Sequence, residues 1–193
     1  MAIVSLPSAE EIQLEALAGL PPGLALREAV PLLVRLTNNP AFVDAHLLPL
    51  LEEARHLTDW YVAHSCEGQG GSYFLQVFVW PPGTRTRIHD HTSWGAYCCV
   101  MGSVLEECYK RLDDGSWPGH ARLKKVWQLW WSREDGASTV LPSEEGIHRV
   151  GNPNAVTAVS VHLYGPQMGE LDGRDYDPSR DYVCNRVEAP ERS

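Results

Sequence analysis

The sequence has no long apolar run and no recognisable targeting segment. None of its stretches approaches the roughly 18 consecutive apolar residues that a membrane-spanning helix requires. The first residues, MAIVSLPSAEE, lack the basic start and the apolar core of a secretory signal. We therefore expect a cytoplasmic protein with no membrane partner.

Basic residues are scarce relative to acidic ones. The chain has 16 Lys and Arg against 25 Asp and Glu, which gives a formal net charge of -9. Binding to nucleic acid depends on Lys and Arg side chains that neutralise phosphates. We therefore expect no nucleic-acid partner.

Cysteines are few, odd in number and without a C-x-x-C pair. Disulfide frameworks use even numbers of cysteines and zinc knuckles need closely spaced pairs, so neither is expected. The simplest interpretation is a set of reduced and mostly buried thiols. The five cysteines are Cys66, Cys98, Cys99, Cys108 and Cys184.

The chain has a length suited to one structural domain, and its first part predicts helices. Ser8 and Glu11 form a capping-box pattern at the start of a first helix. Apolar residues at helical spacing continue over 24–36 and 41–56. We predict a helical segment over residues 1–57 that packs on the rest of the domain.

From Trp60 onward the sequence consists of short runs rich in Val, Tyr, Phe and Trp, separated by Gly, Pro, Asp and Asn. This texture is typical of an antiparallel barrel or sandwich, so the fold class is predicted to be mainly β. We expect a barrel over 58–176 and a C-terminal tail without regular structure over 177–193. The predicted strands are 60–64, 73–80, 86–91, 96–101, 104–112, 122–131, 137–141, 148–150 and 155–164.

Three histidines form a metal-binding pattern. His89 and His91 are two residues apart in a strand-like run, so their side chains point to the same face. His148 lies 57 residues beyond His91, after a bend at Gly146. A single histidine is most often an ordinary polar residue, but a pair with a distant third suits a first-row metal ion and leaves coordination positions open. We predict that these three histidines bind one metal ion.

The segments around these histidines resemble the two metal-binding motifs of the cupin superfamily. The motifs are Gly83-x5-His89-x-His91 ending at Gly102, and Pro142-x3-Gly146-x-His148-x3-Asn152. Most metal-binding cupins have a glutamate ligand about four residues after the second histidine, where this chain has Gly95 and Ala96. A three-histidine site without that carboxylate resembles the thiol dioxygenases, namely cysteine dioxygenase and 3-mercaptopropionate dioxygenase.

This resemblance implies a cupin-type antiparallel β-barrel with N-terminal α-helices. It also implies Fe(2+) as the cofactor and a small thiol and O2 as the substrates, with the sulfinate as product. The thiol would be 3-mercaptopropionate- or cysteine-like and would bear a carboxylate. Two other classes stay open: another metal-dependent cupin enzyme, such as an isomerase or a ring-opening dioxygenase, and a non-catalytic ligand-binding cupin.

A second polar row lies near the C-terminal end of the strand-rich part. Ser160, His162 and Tyr164 alternate with apolar residues and therefore share one face of a strand. For an isolated strand, this face would most simply be exposed to solvent. The resemblance instead implies a catalytic row beside the iron, hydrogen-bonded in series. A Ser/His hydrolase is a competing interpretation, but the pattern lacks a nucleophile elbow and an obvious orienting acid.

Some thiol dioxygenases carry a cysteine that is cross-linked to the tyrosine equivalent to Tyr164. The matching place in this chain is Gly95 or Ala96, so the resemblance implies no such cross-link. Cys98 and Cys99 lie nearby but in a shifted register. This departure makes the chain more similar to the bacterial members of the family, which use a broader range of thiols.

Substrate contacts are predicted less directly. Members of the family hold the substrate carboxylate with an arginine or glutamine on an early strand, and residues 61–66 contain neither. We therefore consider Gln76, Arg87 and Arg174, for each of which a surface or structural role is equally open. Trp80 and Trp94 are predicted wall residues of the cavity. The sequence leaves the oligomeric state open.

Overall fold

The computed structural model describes residues 2–3, 13–53, 58–167 and 172–186. The predicted capping box at Ser8 and Glu11 lies outside these residues. No helix among the described residues has the length and apolar character needed to cross a bilayer. The segment 13–53 is mostly helical, as predicted, whereas Ala2–Ile3 within the predicted helical segment forms a strand. Its elements are a 3-10 helix Ala16–Gly19, α1 Pro22–Thr37, α2 Pro40–Phe42, a π-helical turn Val43–Leu47, and α3 Leu48–Glu53.

Helix α1 is the principal element that covers the strands. It begins at Pro22, a position where the missing backbone N–H of proline costs no hydrogen bond. Its apolar side chains recur every three or four residues and form a stripe that packs against the first sheet. The buried residues of this stripe are Ala25, Leu26, Ala29, Leu32, Leu33 and Leu36.

The described residues contain twelve strands in two six-stranded sheets. The order is β1-β2-β3-β10-β5-β8 in the first sheet and β12-β11-β4-β9-β6-β7 in the second. The strands are β1 Ala2–Ile3, β2 Tyr61–Glu67, β3 Phe74–Trp80, β4 Ile88–His89, β5 Gly95–Met101, β6 Ser103–Arg111, β7 Leu123–Ser132, β8 Ala137–Val140, β9 His148–Gly151, β10 Ala158–Tyr164, β11 Arg174–Asp177 and β12 Tyr182–Asn185.

The mainly antiparallel β architecture with N-terminal helices is confirmed, but the sheets are not closed into one barrel. Among the described residues, only β1 and β2 pair in parallel, and no strand pairs with strands of both sheets. The two sheets face each other around a cavity instead. The sequence pattern did not distinguish these cases, because alternating burial is the same in a sandwich and in a barrel.

The C-terminal tail was wrongly predicted to lack regular structure. Strand β11 pairs with β4, and β12, which lies in the predicted tail, pairs with β11. Both strands are only four residues long and lack an apolar alternation. They form strands because β4 offers an edge to β11, and β11 in turn offers an edge to β12. The local sequence does not show that such an edge is available.

Alternation along the central strands of the first sheet separates its two faces. In β10, Val159, Val161 and Leu163 pack into the core beneath the helices, where each contributes on the order of 2 kcal/mol of burial free energy. Residues of the opposite parity, including His162 and Tyr164, face the space between the sheets. The polar row of β10 is therefore internal, as the resemblance implied.

Candidate metal centre

The three predicted histidines lie together between the sheets. His89 in β4 and His148 in β9 are direct cross-strand partners, and His91 follows β4 by two residues. All three side chains are buried, and their ligand atoms lie within 4.8 Å of one another. The structure thus brings together residues that are 57 positions apart in the chain.

The ring nitrogens of these histidines are arranged for metal coordination. Nε2 of His91 lies 3.1 Å from Nε2 of His89 and 3.4 Å from Nε2 of His148. Nδ1 of His89 donates to the carbonyl oxygen of Arg87 at 2.9 Å. Because a carbonyl oxygen only accepts, the proton of His89 is on Nδ1 and its Nε2 carries a lone pair.

Two carboxylates fix the other rings in the same way. Nδ1 of His148 donates to Glu106 at 2.9 Å, and Nδ1 of His91 donates to Asp172 at 3.0 Å. Hydrogen bonds of this kind orient metal-binding histidines and increase their basicity. The Nε2 atoms of the three rings are therefore the atoms that face one another.

The convergence fits a first-row metal ion. Metal–nitrogen distances of about 2.0–2.1 Å at angles between octahedral and tetrahedral correspond to nitrogen–nitrogen separations of about 3.0–3.4 Å, and the two separations from Nε2 of His91 lie in this range. Burial lowers the pKa of His89 and of His91, so both rings are neutral at pH 7. Within the described parts of the chain, the group that could hold a metal contains these three histidines and no carboxylate. Such a centre leaves coordination positions open.

Glu106 is the centre of a buried hydrogen-bond network. Its side chain is 1 % exposed, and it accepts hydrogen bonds from four side chains. Burial by itself raises the pKa of Glu106, but the hydrogen bonds outweigh burial and the pKa is lowered, so the carboxylate is ionised. The four donors are Tyr97, Trp131, Ser138 and His148.

The polar row of β10 forms a hydrogen-bonded series. The indole N–H of Trp80 donates to Oγ of Ser160 at 2.8 Å, and Oγ of Ser160 lies 2.8 Å from Nε2 of His162. Nδ1 of His162 lies 3.0 Å from the hydroxyl oxygen of Tyr164. Trp80 only donates, so among the described partners of Ser160 the acceptor for its hydroxyl proton is Nε2 of His162, and this places the proton of His162 on Nδ1.

This tautomer leaves the hydroxyl proton of Tyr164 free to point into the cavity. Burial holds the pKa of His162 well below its usual range, and burial also raises the pKa of Tyr164. The ring of Tyr164 lies 4.9 Å from the ring of His91. Tyr164 is therefore a neutral hydrogen-bond donor beside the three histidines.

The hydrolase interpretation has no support in this geometry. Ser160 is fully buried and does not line the cavity, so its hydroxyl cannot reach a substrate. Within the described residues, the two ring nitrogens of His162 contact Ser160 and Tyr164 rather than a carboxylate. An orienting acid is thus missing as well.

The space between the sheets is a cavity of about 700 Å³. The three histidines, His162 and Tyr164 lie in its lining, and Trp60, Phe78 and Trp80 form an aromatic wall. Trp94, the other predicted wall residue, does not line the cavity. It is buried in the core beneath the helices, where Gly165 leaves room for its indole ring.

The structure separates the three predicted substrate contacts. Gln76 lines the cavity opposite His162 in the pairing of β3 with β10. Arg87 lies at the rim, where its side chain is 81 % exposed and its guanidinium is 3.3 Å from Asp175. Arg174 does not line the cavity.

The position of Arg174 argues against the predicted substrate contact. Its guanidinium donates to Asp90 at 2.6 Å and to Glu144 at 3.2 Å, on the opposite side of β4 from the histidines. Tyr176 also donates to Asp90, at 2.8 Å. Because these contacts occupy the guanidinium, we interpret Arg174 as a residue that fixes Asp90 between His89 and His91.

Several residues of the site escaped the sequence analysis. Glu106 and Asp172 carried no local signal, because they are 42 and 81 residues from the histidines that they orient. Arg85 and Arg186 line the cavity as well. Arg85 has the same strand parity as His89, and this pattern could have indicated its position.

The position of the family's cross-linked cysteine can be located by register. Gly95 in β5 is the direct partner of Tyr164, and a Cβ added to Gly95 would lie 2.9 Å from Cδ1 of the tyrosine ring. Cys98 and Cys99 pair with Val161 and Ser160, about 10–13 Å along the strand from this point.

Comparisons with known proteins matched one family model and several solved structures of low similarity. A family model described as cysteine dioxygenase type I matches residues 58–177. A cupin 2 conserved barrel domain protein from Salinispora arenicola is 13% identical over 55% of this chain and 73% of its own, with a TM-score of 0.37. The cupin domain of Schizosaccharomyces pombe Cnp3 is 13% identical over 56% of this chain and 61% of its own, with a TM-score of 0.41. A recombinant oxalate oxidase in complex with glycolate is 14% identical over 61% of this chain and 56% of its own, with a TM-score of 0.44.

Proposed function

Since the chain belongs to the cysteine dioxygenase type I family, we propose that it is an iron(II)-dependent thiol dioxygenase. It would convert a small thiol that bears a carboxylate, 3-mercaptopropionate- or cysteine-like, to its sulfinate with O2. The observation that carries the proposal is a centre of three buried histidines, His89, His91 and His148, beside the ring of Tyr164. Other metal-dependent cupins have no evident need for the Ser160, His162 and Tyr164 series.

The overall reaction balances without an external reductant. A thiol and one O2 give a sulfinic acid, in which both oxygen atoms are bonded to sulfur. Sulfur loses four electrons and the two oxygen atoms gain four. Bound iron(II) would lower the pKa of the thiol and supply the redox chemistry.

The side chains of the protein would orient and enclose the substrate. Ser160 and Trp80 hold His162 in one tautomer, and His162 holds the hydroxyl of Tyr164. Tyr164 would then donate a hydrogen bond to the substrate beside His91. The aromatic wall of Trp60, Phe78 and Trp80 would exclude water from that end of the cavity.

Oxygen uptake is the direct test of this function. Metal-free protein is loaded anaerobically with iron(II), and uptake is followed with 3-mercaptopropionate, cysteine and longer thiol acids while mass spectrometry identifies the product. We expect one O2 consumed per sulfinate formed. If no thiol supports uptake, the protein is not a thiol dioxygenase.

A substitution in the metal centre connects the activity to the site. His148→Ala should abolish both iron binding and turnover, because one of three ligands is lost. His120→Ala is the matched control, since His120 lies outside the cavity lining and contacts Trp117. Retention of one iron per chain by His148→Ala would remove this residue from the ligand set.

The same assay separates the two alternative classes. A non-catalytic ligand-binding cupin would bind thiol without consuming oxygen. Another metal-dependent cupin enzyme would bind the metal at His89, His91 and His148 but form no sulfinate.

A further inference from the structure

The cavity is larger than a short thiol requires. Its volume of about 700 Å³ lies in the range of sites that bind drug-sized ligands. A three-carbon thiol acid would occupy a small part of this volume and leave the remainder to water. The size of the cavity therefore favours a longer substrate.

One wall of the cavity suits an apolar group. The ring of Trp80 lies 5.7 Å from that of Trp60 and 5.6 Å from that of Phe78, in stacked arrangements. Val62 and Val150 add aliphatic surface to the same lining. When an apolar chain or ring packs against this surface, the ligand and the wall both bury apolar area away from water, which is favourable.

The charged groups of the lining leave one arginine available. Arg186 donates to Asp172 at 3.0 Å, and Arg87 is paired with Asp175 at 3.3 Å. Arg85 also lines the cavity, and no side-chain hydrogen bond or ion pair joins it to another described residue. Its guanidinium is free to bind an anionic group.

The available acids do not compete for this arginine. Asp172 and Asp175 are the carboxylates paired with the other two arginines. Asp59, the remaining acid of the lining, accepts a hydrogen bond from the backbone N–H of Trp60 at 2.8 Å. A ligand carboxylate is therefore the partner that best matches Arg85.

The backbone fixes how far Arg85 lies from the metal centre. Arg85 precedes His89 by four residues, and it forms an isolated antiparallel bridge with Gly151, the last residue of β9. The missing side chain of Gly151 permits this approach, because a Cβ there would lie 2.6 Å from Cβ of Arg85. At 3.3 Å per residue, the Cα atoms of Arg85 and His89 are about 13 Å apart. Arg85 is therefore placed toward the rim, away from the three histidines.

We propose that the substrate is a thiol acid in which an apolar body separates sulfur from the carboxylate, and that Arg85 binds this carboxylate. The sulfur would be at the three histidines, the body against Trp60, Phe78 and Trp80, and the carboxylate at the rim. This inference rests on the proposed function and identifies the class of its substrate.

The test compares thiols that differ in one feature at a time. Iron-loaded protein is assayed for oxygen uptake with 3-mercaptopropionate, 6-mercaptohexanoate and the uncharged 6-mercaptohexanol. We expect kcat/KM to be about tenfold or more higher for 6-mercaptohexanoate than for either of the others, because only this thiol engages both the wall and Arg85.

A matched pair of variants assigns the carboxylate to Arg85. Arg85→Gln should raise KM for 6-mercaptohexanoate about tenfold and leave the kinetics of 6-mercaptohexanol unchanged. Arg133→Gln is the control, because Arg133 is exposed and hydrogen-bonded to Asn38, outside the cavity lining. Calorimetry measures the binding of 6-mercaptohexanoate to the metal-free proteins, in which no turnover occurs. Arg85→Gln should bind this thiol more weakly than the unchanged protein and Arg133→Gln.

The possible outcomes are distinct. Uptake that is fastest with 3-mercaptopropionate, or an equal loss for the acid and the alcohol in Arg85→Gln, would overturn the inference and leave the dioxygenase function standing. Unchanged KM and unchanged calorimetric affinity in Arg85→Gln would also overturn it. Absence of uptake with every thiol would overturn the dioxygenase function itself, and the inference with it.

Discussion

Two carboxylates support the candidate metal centre from opposite sides, and their surroundings differ. Glu106 in β6 is 1 % exposed and accepts four side-chain hydrogen bonds, whereas Asp172 is 40 % exposed and pairs with His91 and Arg186. A buried charge depends on each of its hydrogen bonds, because water cannot replace a lost partner. An exposed charge is partly solvated whether its partner is present or not.

The difference separates a rigid side of the centre from an adjustable side. The Glu106 side is built into the second sheet, since β6 pairs with both β7 and β9. On the other side, Asp172 lies two residues before β11, which pairs with the edge strand β12, and it lines the cavity. We expect changes on the first side to damage the fold and the metal centre together, and changes on the second side to act more locally.

The largest effect is expected from Glu106→Gln. Glutamine would place an N–H2 donor where the carboxylate now accepts hydrogen bonds. The indole N–H of Trp131 is itself a donor and cannot accept a hydrogen bond from this amide. We expect the free energy of unfolding to fall by about 2–4 kcal/mol and iron affinity to fall about 10–100-fold. Denaturant unfolding and iron titration measure the two quantities.

Glu107→Gln is the matched control for this prediction. Glu107 is the next residue in β6, but it pairs with Arg149 and Lys125 rather than with a histidine. Its replacement should leave iron affinity unchanged. An equal loss of iron affinity in both variants would contradict the special role of Glu106.

The next effect is expected from Ser160→Ala. Loss of the hydroxyl removes the partner that holds Nε2 of His162, so the ring can take the other tautomer and Tyr164 must then donate to it. We expect kcat to fall about 10–100-fold with full iron content.

A double variant distinguishes positioning from general damage. If Ser160 acts through Tyr164, then adding Ser160→Ala to Tyr164→Phe should cause little further loss of kcat. Additive losses would show that Ser160 acts by another route, and loss of iron from Ser160→Ala would place its effect on the metal centre instead.

A smaller effect is expected from Asp172→Asn, which tests the adjustable side. Asparagine can still accept from Nδ1 of His91 but loses the ion pair with Arg186. We expect iron affinity to fall tenfold or less and the free energy of unfolding to change by less than about 1 kcal/mol. A loss as large as that of Glu106→Gln would remove the distinction between the two sides.

The smallest effect concerns thiol reactivity. Burial raises the pKa of Cys98 to about 11 and that of Cys99 to about 12, so both thiols are protonated at pH 8. Cys184 in β12 is only partly buried. Iodoacetamide at pH 8 should therefore modify Cys184 well before Cys98 or Cys99, as peptide mass spectrometry would show. Rapid modification of Cys98 in the folded protein would contradict the burial of this thiol.

The sequence determined features that depend on neighbours along a strand. The spacing of His89 and His91 predicted that they share a face, and the two side chains do lie together although β4 ends at His89. Within β10 the rule that residues two apart share a face places Ser160, His162 and Tyr164 together. Each strand from β2 to β10 begins and ends within three residues of its predicted limits.

The tertiary structure decided everything that depends on the order of strands in a sheet. Sheet pairing places Glu106 against His148 and Gly95 against Tyr164, and it directs the polar face of β10 inward. It also added β11 and β12 and left the two sheets unclosed. The physical reason is that a local pattern specifies which residues share a face, whereas the partner on the facing strand is specified by contacts that are distant in the chain.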